Sequence, residues 1–249
     1  MTRWTLNAEY ATGPTGEAFA SLDAVFALQG ERITSDPLSE VLRVQVGQRL
    51  YYVKRYHGAG KNLRRFIGRP RVQAEWRNLL YFRAWGIPTA IVVGYGMERG
   101  CLGEFRRGAL ITEELPGTQD LAHLAKNDDK RLRDRRWLKH VLRQVAEATR
   151  IMHKHRFTHN DLKWRNLLVD EAPLSNVHLI DCPGGTFWWG PFLERRKIKD
   201  LACLDKVGKY HLSRTNRLRF YLLYSGQTRL KQQDRALIQR ILCYFEGRE

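Results

Sequence analysis

The sequence predicts an α+β fold made of a small β-rich half with one helix, followed by a mostly helical half. Three observations carry that reading. Residues 20–55 hold short runs rich in Val, Leu, Tyr and Phe between turn signals. From residue 136 on, apolar residues recur at the helical period. The chain has 249 residues, 43% of them hydrophobic, which suffices for a full core in one large domain or two tightly joined lobes. There is no internal repeat and no low-complexity segment.

Taken in order, "DAVFAL", "EVLRVQV" and "RLYYVKRY" read as strands, with "QGE", "SDP" and "VGQ" between them as turns. Residues 71–85 read as a helix, because Val72, Trp76, Leu79 and Leu80 fall at i, i+4, i+7 and i+8. "GIPTAIVVGYGM" and "RRGALITEEL" give two further strands, and "PGTQDL" a turn. Trp137, Val141, Val145, Ala148 and Met152 form one long stripe of a helix. "LLVD" and "VHLID" form a short strand pair. "IKDLACLDKVGKYHL", "RLRFYLLYSG" and "RALIQRILCYF" are helical to the end. This divides the chain into a sheet-bearing lobe over 1–112, a hinge over 113–121 and a helical lobe over 122–249.

Composition narrows the partners. Formal net charge is +17, and the excess is clustered in "KNLRRFIGRPR", "KRLRDRRWLKH", "ERRKIKD" and "RTNRLR". Several clusters of one sign exceed what solubility requires and suit a polyanion: nucleic acid, an anionic membrane face or a phosphorylated glycan. Seven Trp, ten Tyr and ten Phe argue against disorder. No run approaches the ~18 apolar residues of a transmembrane helix, and the N-terminus lacks the apolar stretch of a secretory signal. Cys101, Cys182, Cys203 and Cys243 form no CxxC pair and read as reduced thiols of a cytosolic protein.

The stretch "THNDLKWRNLLVD", residues 158–170, concentrates the chemistry. A loop between a long helix and a strand pair can hold side chains rigidly. Asp161 can orient a hydroxyl nucleophile and accept its proton, Lys163 can neutralise a phosphate, and Asn166 can ligate a hard cation through its amide oxygen. Fifteen residues after Asn166, Asp181 ends an apolar strand before a Pro-Gly-Gly turn, a suitable place for a Mg²⁺ ligand. Read singly, Asp161 and Asn166 could be turn residues capping the "LLV" strand. Together the set fits phosphoryl transfer, which needs a hydroxyl-positioning carboxylate and oxygen ligands for the metal that bridges the phosphates.

Here the sequence resembles a family. "HNDLKWRN" resembles the kinase catalytic loop H-x-D-L-x-x-x-N, with His159, Asp161, Leu162 and Asn166 on its fixed positions. "LIDCPGG" resembles the metal-binding D-F-G element, with Asp181 kept and Cys182-Pro183 in place of Phe-Gly. "YYVKRY" is similar to the strand that carries the phosphate-binding lysine, here Lys54, with Glu75 on the following helix as its ion-pair partner. "LITEELPGTQDL" is similar to the hinge that holds adenine, which would turn the Glu113 carbonyl and the Leu115 amide to the base, with Thr112 as gatekeeper. The resemblance covers residues 20–212 and implies a bilobal protein-kinase-like fold using ATP and Mg²⁺. His159 reads as a packing residue of the loop, and Asp200 as a residue that binds the loop backbone.

The departures narrow the family further. No GxGxxG lies between the first strands, and Gly30 is the one candidate for the phosphate-covering loop. Asp200 follows Asp181 by nineteen residues, with no long activation segment and no A-P-E between or after them. Together "YVKRY", "ITEELPGT", "HNDLKWRNLL", "LIDCPGG" and "RRKIKDLACL" resemble the lipopolysaccharide core kinases of the InaA/WaaP group. That resemblance implies a cytoplasmic enzyme that phosphorylates a heptose or Kdo hydroxyl of the inner core, with no nucleic-acid partner. It also implies peripheral contact with the anionic inner membrane, for which Arg64, Arg65, Arg69 and Arg71 form a candidate patch. Two alternatives stay open: a RIO-like atypical kinase on another acceptor, and a nucleotide-binding pseudokinase.

Overall fold

The computed structural model describes residues 1–58 and 69–247. It divides the chain into two units, Met1–Tyr81 with Ala90–Leu115, and Phe82–Thr89 with Pro116–Glu249.

The first unit is built on strands β1 (Thr2–Leu6), β2 (Glu31–Asp36), β3 (Ser39–Val46), β4 (Arg49–Tyr56), β5 (Val92–Arg99) and β6 (Phe105–Glu113). They form one antiparallel sheet in the order β1-β5-β6-β4-β3-β2. Short helices α1 (Gly13–Ala18) and α2 (Leu22–Ala27) precede β2, and α3 (Arg71–Ala84) precedes β5. The period of two in a strand sorts β4 between two faces. Tyr51 and Val53 pack with Phe19, Leu22, Val25, Leu42 and Ile111 in an apolar cluster. Arg55 points the same way and is buried, donating to the carbonyls of Val25 at 3.0 Å and Leu28 at 2.6 Å. Lys54 and Tyr56 alternate to the opposite face, where they reach α3. Gly108 lets α3 approach that face: a Cβ there would lie 2.9 Å from the Val72 side chain.

One run expected to be a strand is helical. "DAVFAL" is not a strand but the body of α2. Ser21 caps it, accepting the Ala24 N–H at 3.1 Å, and the buried pair is Leu22 and Val25, three apart as a helix requires. The β1 strand, which the sequence reading left unassigned, forms the sheet edge beside β5.

The second unit takes the last turn of α3 and continues with β7 (Gln119–Asp120), α4 (Leu121–Lys126), α5 (Arg135–Lys154), β8 (Phe157–Thr158), β9 (Leu167–Val169), β10 (Val177–Leu179), β11 (Thr186–Phe187), α6 (Gly190–His211), α7 (Arg214–Ser225) and α8 (Gln232–Leu242). Asp134 caps α5 by accepting the Arg136 and Trp137 N–H groups at 2.7 and 3.2 Å. α5 buries Trp137, Val141, Val145 and Met152, the stripe read from sequence. β7, inside the stretch read as a turn, pairs with β9, which pairs with β10. Between the helices lies a largely apolar cavity of about 980 Å³, with Leu138, Val141, Trp164, Leu204, Tyr221 and Ile241 in its wall. Among the described residues no helix is long and apolar enough to cross a membrane.

Candidate active site

In the first unit, strand alternation and α3 bring Lys54 and Glu75 together. Lys54 Nζ donates to Glu75 Oε1 at 2.9 Å. The Tyr56 hydroxyl donates to the other oxygen, Glu75 Oε2. Glu75 is 4% exposed, so a buried carboxylate is satisfied by one cation and one hydroxyl from the same strand face. The Lys54 ammonium also sits 5.6 Å from the Tyr56 ring centroid.

At the end of the first unit, the Glu113 side chain is engaged on both oxygens. Oε2 accepts the Tyr10 hydroxyl, and Oε1 lies 3.4 Å from Arg49. Burial and the Glu113 carboxylate push the Tyr10 hydroxyl up to about 12. The neighbouring Glu114 takes a two-pronged contact from Arg43, both bonds 2.9 Å. The Glu113 N–H is spent on the Ile91 carbonyl at 3.0 Å. Leu115 follows as the last residue of the unit.

Gly30 does not form a phosphate-covering turn. It precedes β2, and a Cβ there would lie 2.5 Å from the Arg43 carbonyl, so the glycine serves a close backbone approach. The β2–β3 turn is built around Asp36, whose carboxylate accepts the N–H groups of Leu38 at 2.7 Å and Ser39 at 2.9 Å. The Leu38 bond leads in holding its pKa below the usual carboxylate value, against burial, with the Ser39 hydroxyl and N–H adding to it.

In the second unit, the loop before β9 alternates anchors with exposed groups. Leu162 and Trp164 are buried, and Trp164 Nε1 donates to the Leu204 carbonyl at 2.9 Å. Asp161, Lys163 and Arg165 therefore point outward. Lys163 Nζ lies 2.6 Å from Asp161 Oδ1, and Arg165 lies 3.4 Å from Oδ2. Arg165 was not singled out from sequence; its i,i+4 spacing from Asp161 was the available signal. Asn166 is buried and donates its amide N–H to the Asp161 carbonyl at 2.9 Å. That choice of donor leaves the amide oxygen for a cation. The Asn166 carbonyl accepts the Ile180 N–H at 3.0 Å, which ties the loop to the residue preceding Asp181.

Two residues here occupy the left-handed region, Asn160 at φ 64° and Asp181 at φ 54°. Non-glycine residues there are uncommon and gather at functional sites. Asp200 on α6 secures the first of them. It is fully buried and accepts the backbone N–H groups of His159 and Asn160, each at 2.8 Å. His153 Nε2, 3.3 Å away, shares the same carboxylate. His159 is itself fully buried, and its ring nitrogens make no hydrogen bond of good geometry. Burial drives its pKa down, against the opposing pull of the Asp200, Asp181 and Asp161 carboxylates.

The donor set fits a magnesium nucleotide. Asn166 and Asp181 offer hard oxygens, which Mg²⁺ prefers. Among the described residues no group of three or more His, Cys, Asp or Glu could hold a metal. A cation here would complete its shell from phosphate oxygens and water, as Mg²⁺ commonly does.

A sheet strand whose lysine is paired with a helix glutamate, followed by a helical unit whose loop carries Asp161 and Asn166 ahead of Asp181, defines a protein-kinase-like fold. The model of the lipopolysaccharide kinase (Kdo/WaaP) family matches residues 21–224, and the chain belongs to that family. It is similar in structure to a protein described as WaaP in complex with acyl carrier protein, with a TM-score of 0.75 and 24% identity over 98% of this chain and 96% of that chain. At that identity the likeness carries the fold alone. No curated protein matches the chain.

Proposed function

We propose that this kinase transfers the γ-phosphoryl group of ATP to a hydroxyl of a heptose or Kdo residue in the lipopolysaccharide inner core, at the cytoplasmic face of the inner membrane. The single observation that carries the reading is the environment of Asp161. It is a partly exposed carboxylate held on a loop anchored by Leu162, Trp164 and Asp200, with Lys163 at 2.6 Å. Asp161 orients the acceptor hydroxyl and takes its proton as the new P–O bond forms. The bond from the γ-phosphorus to the β–γ bridging oxygen breaks, and ADP leaves. Lys163, drawn from Asp161 toward the phosphoryl group, offsets charge there. Lys54, positioned by Glu75, holds the nucleotide phosphates, while the Glu113 carbonyl and Leu115 amide meet the base. Asn166 and Asp181 would hold Mg²⁺, which when bound neutralises charge on the phosphate oxygens.

The test is an Asp161→Asn enzyme supplied with ATP and lipopolysaccharide. Turnover should fall by about 10² to 10⁴ with the unfolding midpoint unchanged. Phosphate analysis of core oligosaccharide from an Asp161→Ala strain should show fewer phosphates than the parent. An unchanged phosphate count removes the core from the acceptors.

A partner reading rests on a separate observation. The WaaP structure is a complex with acyl carrier protein. We extend that partner to this chain because its helical unit holds an apolar cavity of about 980 Å³, a suitable place for an acyl chain. Co-elution with acylated, but not unacylated, carrier protein is the expected result. Equal behaviour of the two forms would detach the cavity from the partner.

A further inference from the structure

We propose that the junction of β11 and α6 is the face that contacts anionic lipid, through Trp189 and Phe192 set among basic side chains. The inference rests on the lipopolysaccharide-kinase reading for its biological setting, but its observations stand apart from the active site. Trp189 is 63% and Phe192 66% exposed. The other large exposed apolar residues among those described are not paired within one turn in this way: Leu102, Leu174 and Tyr210 lie in separate parts of the chain. Scattered single residues of that kind are ordinary, whereas two exposed aromatics three apart form a patch.

The local sequence "FWWGPF" explains why they project. Gly190 adopts φ 53°, and Pro191 follows at the start of α6, so the chain turns sharply and then locks. Trp188 backs the turn. Its backbone N–H donates to the Arg156 carbonyl at 2.9 Å, its ring centroid lies 6.4 Å from that of Phe192, and the Arg196 guanidinium stands 4.7 Å over it. A rigid support keeps the two exposed rings from folding back.

The charge around the rings selects the partner. Arg156, whose carbonyl holds Trp188, and Arg195, three residues along α6 from Phe192, are exposed, and Arg196 flanks Trp188. The acid within this turn, Glu194, is paired with Lys197 at 2.8 Å. Exposed aromatic rings bordered by cations suit the boundary between headgroups and acyl chains of an anionic bilayer, where indole rings settle and each basic residue adds attraction. The position is useful to the reaction. The same α6 carries Asp200, which holds the backbone of the Asp161 loop. Phe192 and Asp200 are eight residues apart, or about 12 Å along the helix axis.

The test uses the full chain and vesicles of phosphatidylethanolamine with phosphatidylglycerol, beside neutral phosphatidylcholine vesicles. Wild type should sediment with the anionic vesicles and release at high salt. Trp189→Ala with Phe192→Ala should weaken that binding at least about tenfold, a loss of roughly 1.4 kcal/mol. Brominated lipid should quench tryptophan emission more in wild type than in Trp189→Phe. In parallel, transfer from ATP to deacylated, water-soluble core oligosaccharide should be equal for wild type and the double variant. Unchanged vesicle binding by the double variant overturns the proposal. So does a loss of transfer to the soluble acceptor with vesicle binding intact, which would make the rings a platform for sugar. Loss of vesicle binding alongside a wild type that phosphorylates no core acceptor would keep the lipid face and remove the kinase assignment to the core.

Discussion

Asn160 donates its backbone N–H to Asp200 Oδ1 at 2.8 Å while held at φ 64°, so an unusual backbone conformation beside Asp161 is secured by a carboxylate forty residues away. The second oxygen of Asp200 takes the His159 N–H. Asp200→Asn leaves one acceptor and turns an amide donor toward the other N–H. The expected outcome is a stability loss of about 3 kcal/mol in urea unfolding, because buried donors are costly to leave unmade. Turnover should fall as well, through displacement of Asp161. A variant with wild-type stability and turnover would show that the loop holds its geometry without Asp200.

Lys54 and Glu75 should respond unequally to truncation. Lys54 is the more exposed partner, with 19% of its side chain accessible against 5% for Glu75. Lys54→Ala should abolish stabilisation by magnesium ATP in a thermal-shift titration, and its own stability loss should be the smaller of the two, because the Tyr56 hydroxyl still donates to the buried Glu75 carboxylate and that carboxylate can take up a proton. Glu75→Ala removes the acceptor of both Lys54 and the Tyr56 hydroxyl from a buried site, and should cost about 2–4 kcal/mol. Equal stability losses would show that the pair acts structurally as a unit.

Most elements were legible because their signals are local. The α5 stripe follows from apolar spacing alone, and so do the paired runs of β9 and β10. "DAVFAL" misled because a six-residue apolar run has no decisive period; the Ser21 cap decides it, and that bond forms only once the turn exists. The candidate site was legible where motif spacing carries it, as at Asp161, Asn166 and Asp181. What lies around those residues was not. Tyr10 on Glu113 and Tyr56 on Glu75 join positions that only the tertiary fold brings together. Gly30 drew attention as a glycine near the first strands, but its role is backbone packing against Arg43. Of the basic patch Arg64, Arg65, Arg69 and Arg71, the first two lie outside the described residues.

His159 should give stability a pH dependence. Its pKa is lowered in the folded protein, chiefly by burial, from an unfolded value of 6.5. The unfolded chain therefore binds a proton more readily, so stability is fully present above about 6.5 and falls as pH drops toward the depressed folded pKa. His178 is shifted the same way, so the dependence has two sources. His159→Gln should reduce the slope of unfolding free energy between about pH 7.5 and 5.5 without abolishing it. A slope identical to wild type would assign the dependence elsewhere.

The β2–β3 turn makes a prediction about the nucleotide. In the kinase resemblance, this hairpin precedes the lysine strand and would cover the phosphates. Here the Leu38 and Ser39 N–H groups are consumed by the Asp36 carboxylate, as is the Ser39 hydroxyl at 3.0 Å. The turn thus presents negative charge where a glycine-rich loop would present bare N–H groups. Phosphate binding would then fall more heavily on Lys54 and the metal. Asp36→Asn keeps an acceptor oxygen for the turn but removes the charge. We expect magnesium ATP to bind several-fold more tightly to this variant in calorimetry, with the gain shrinking as salt is raised. The unfolding midpoint should move little, since the side-chain turn survives. Unaltered or weaker ATP binding at an unaltered midpoint would mean that the turn does not stand over the phosphates.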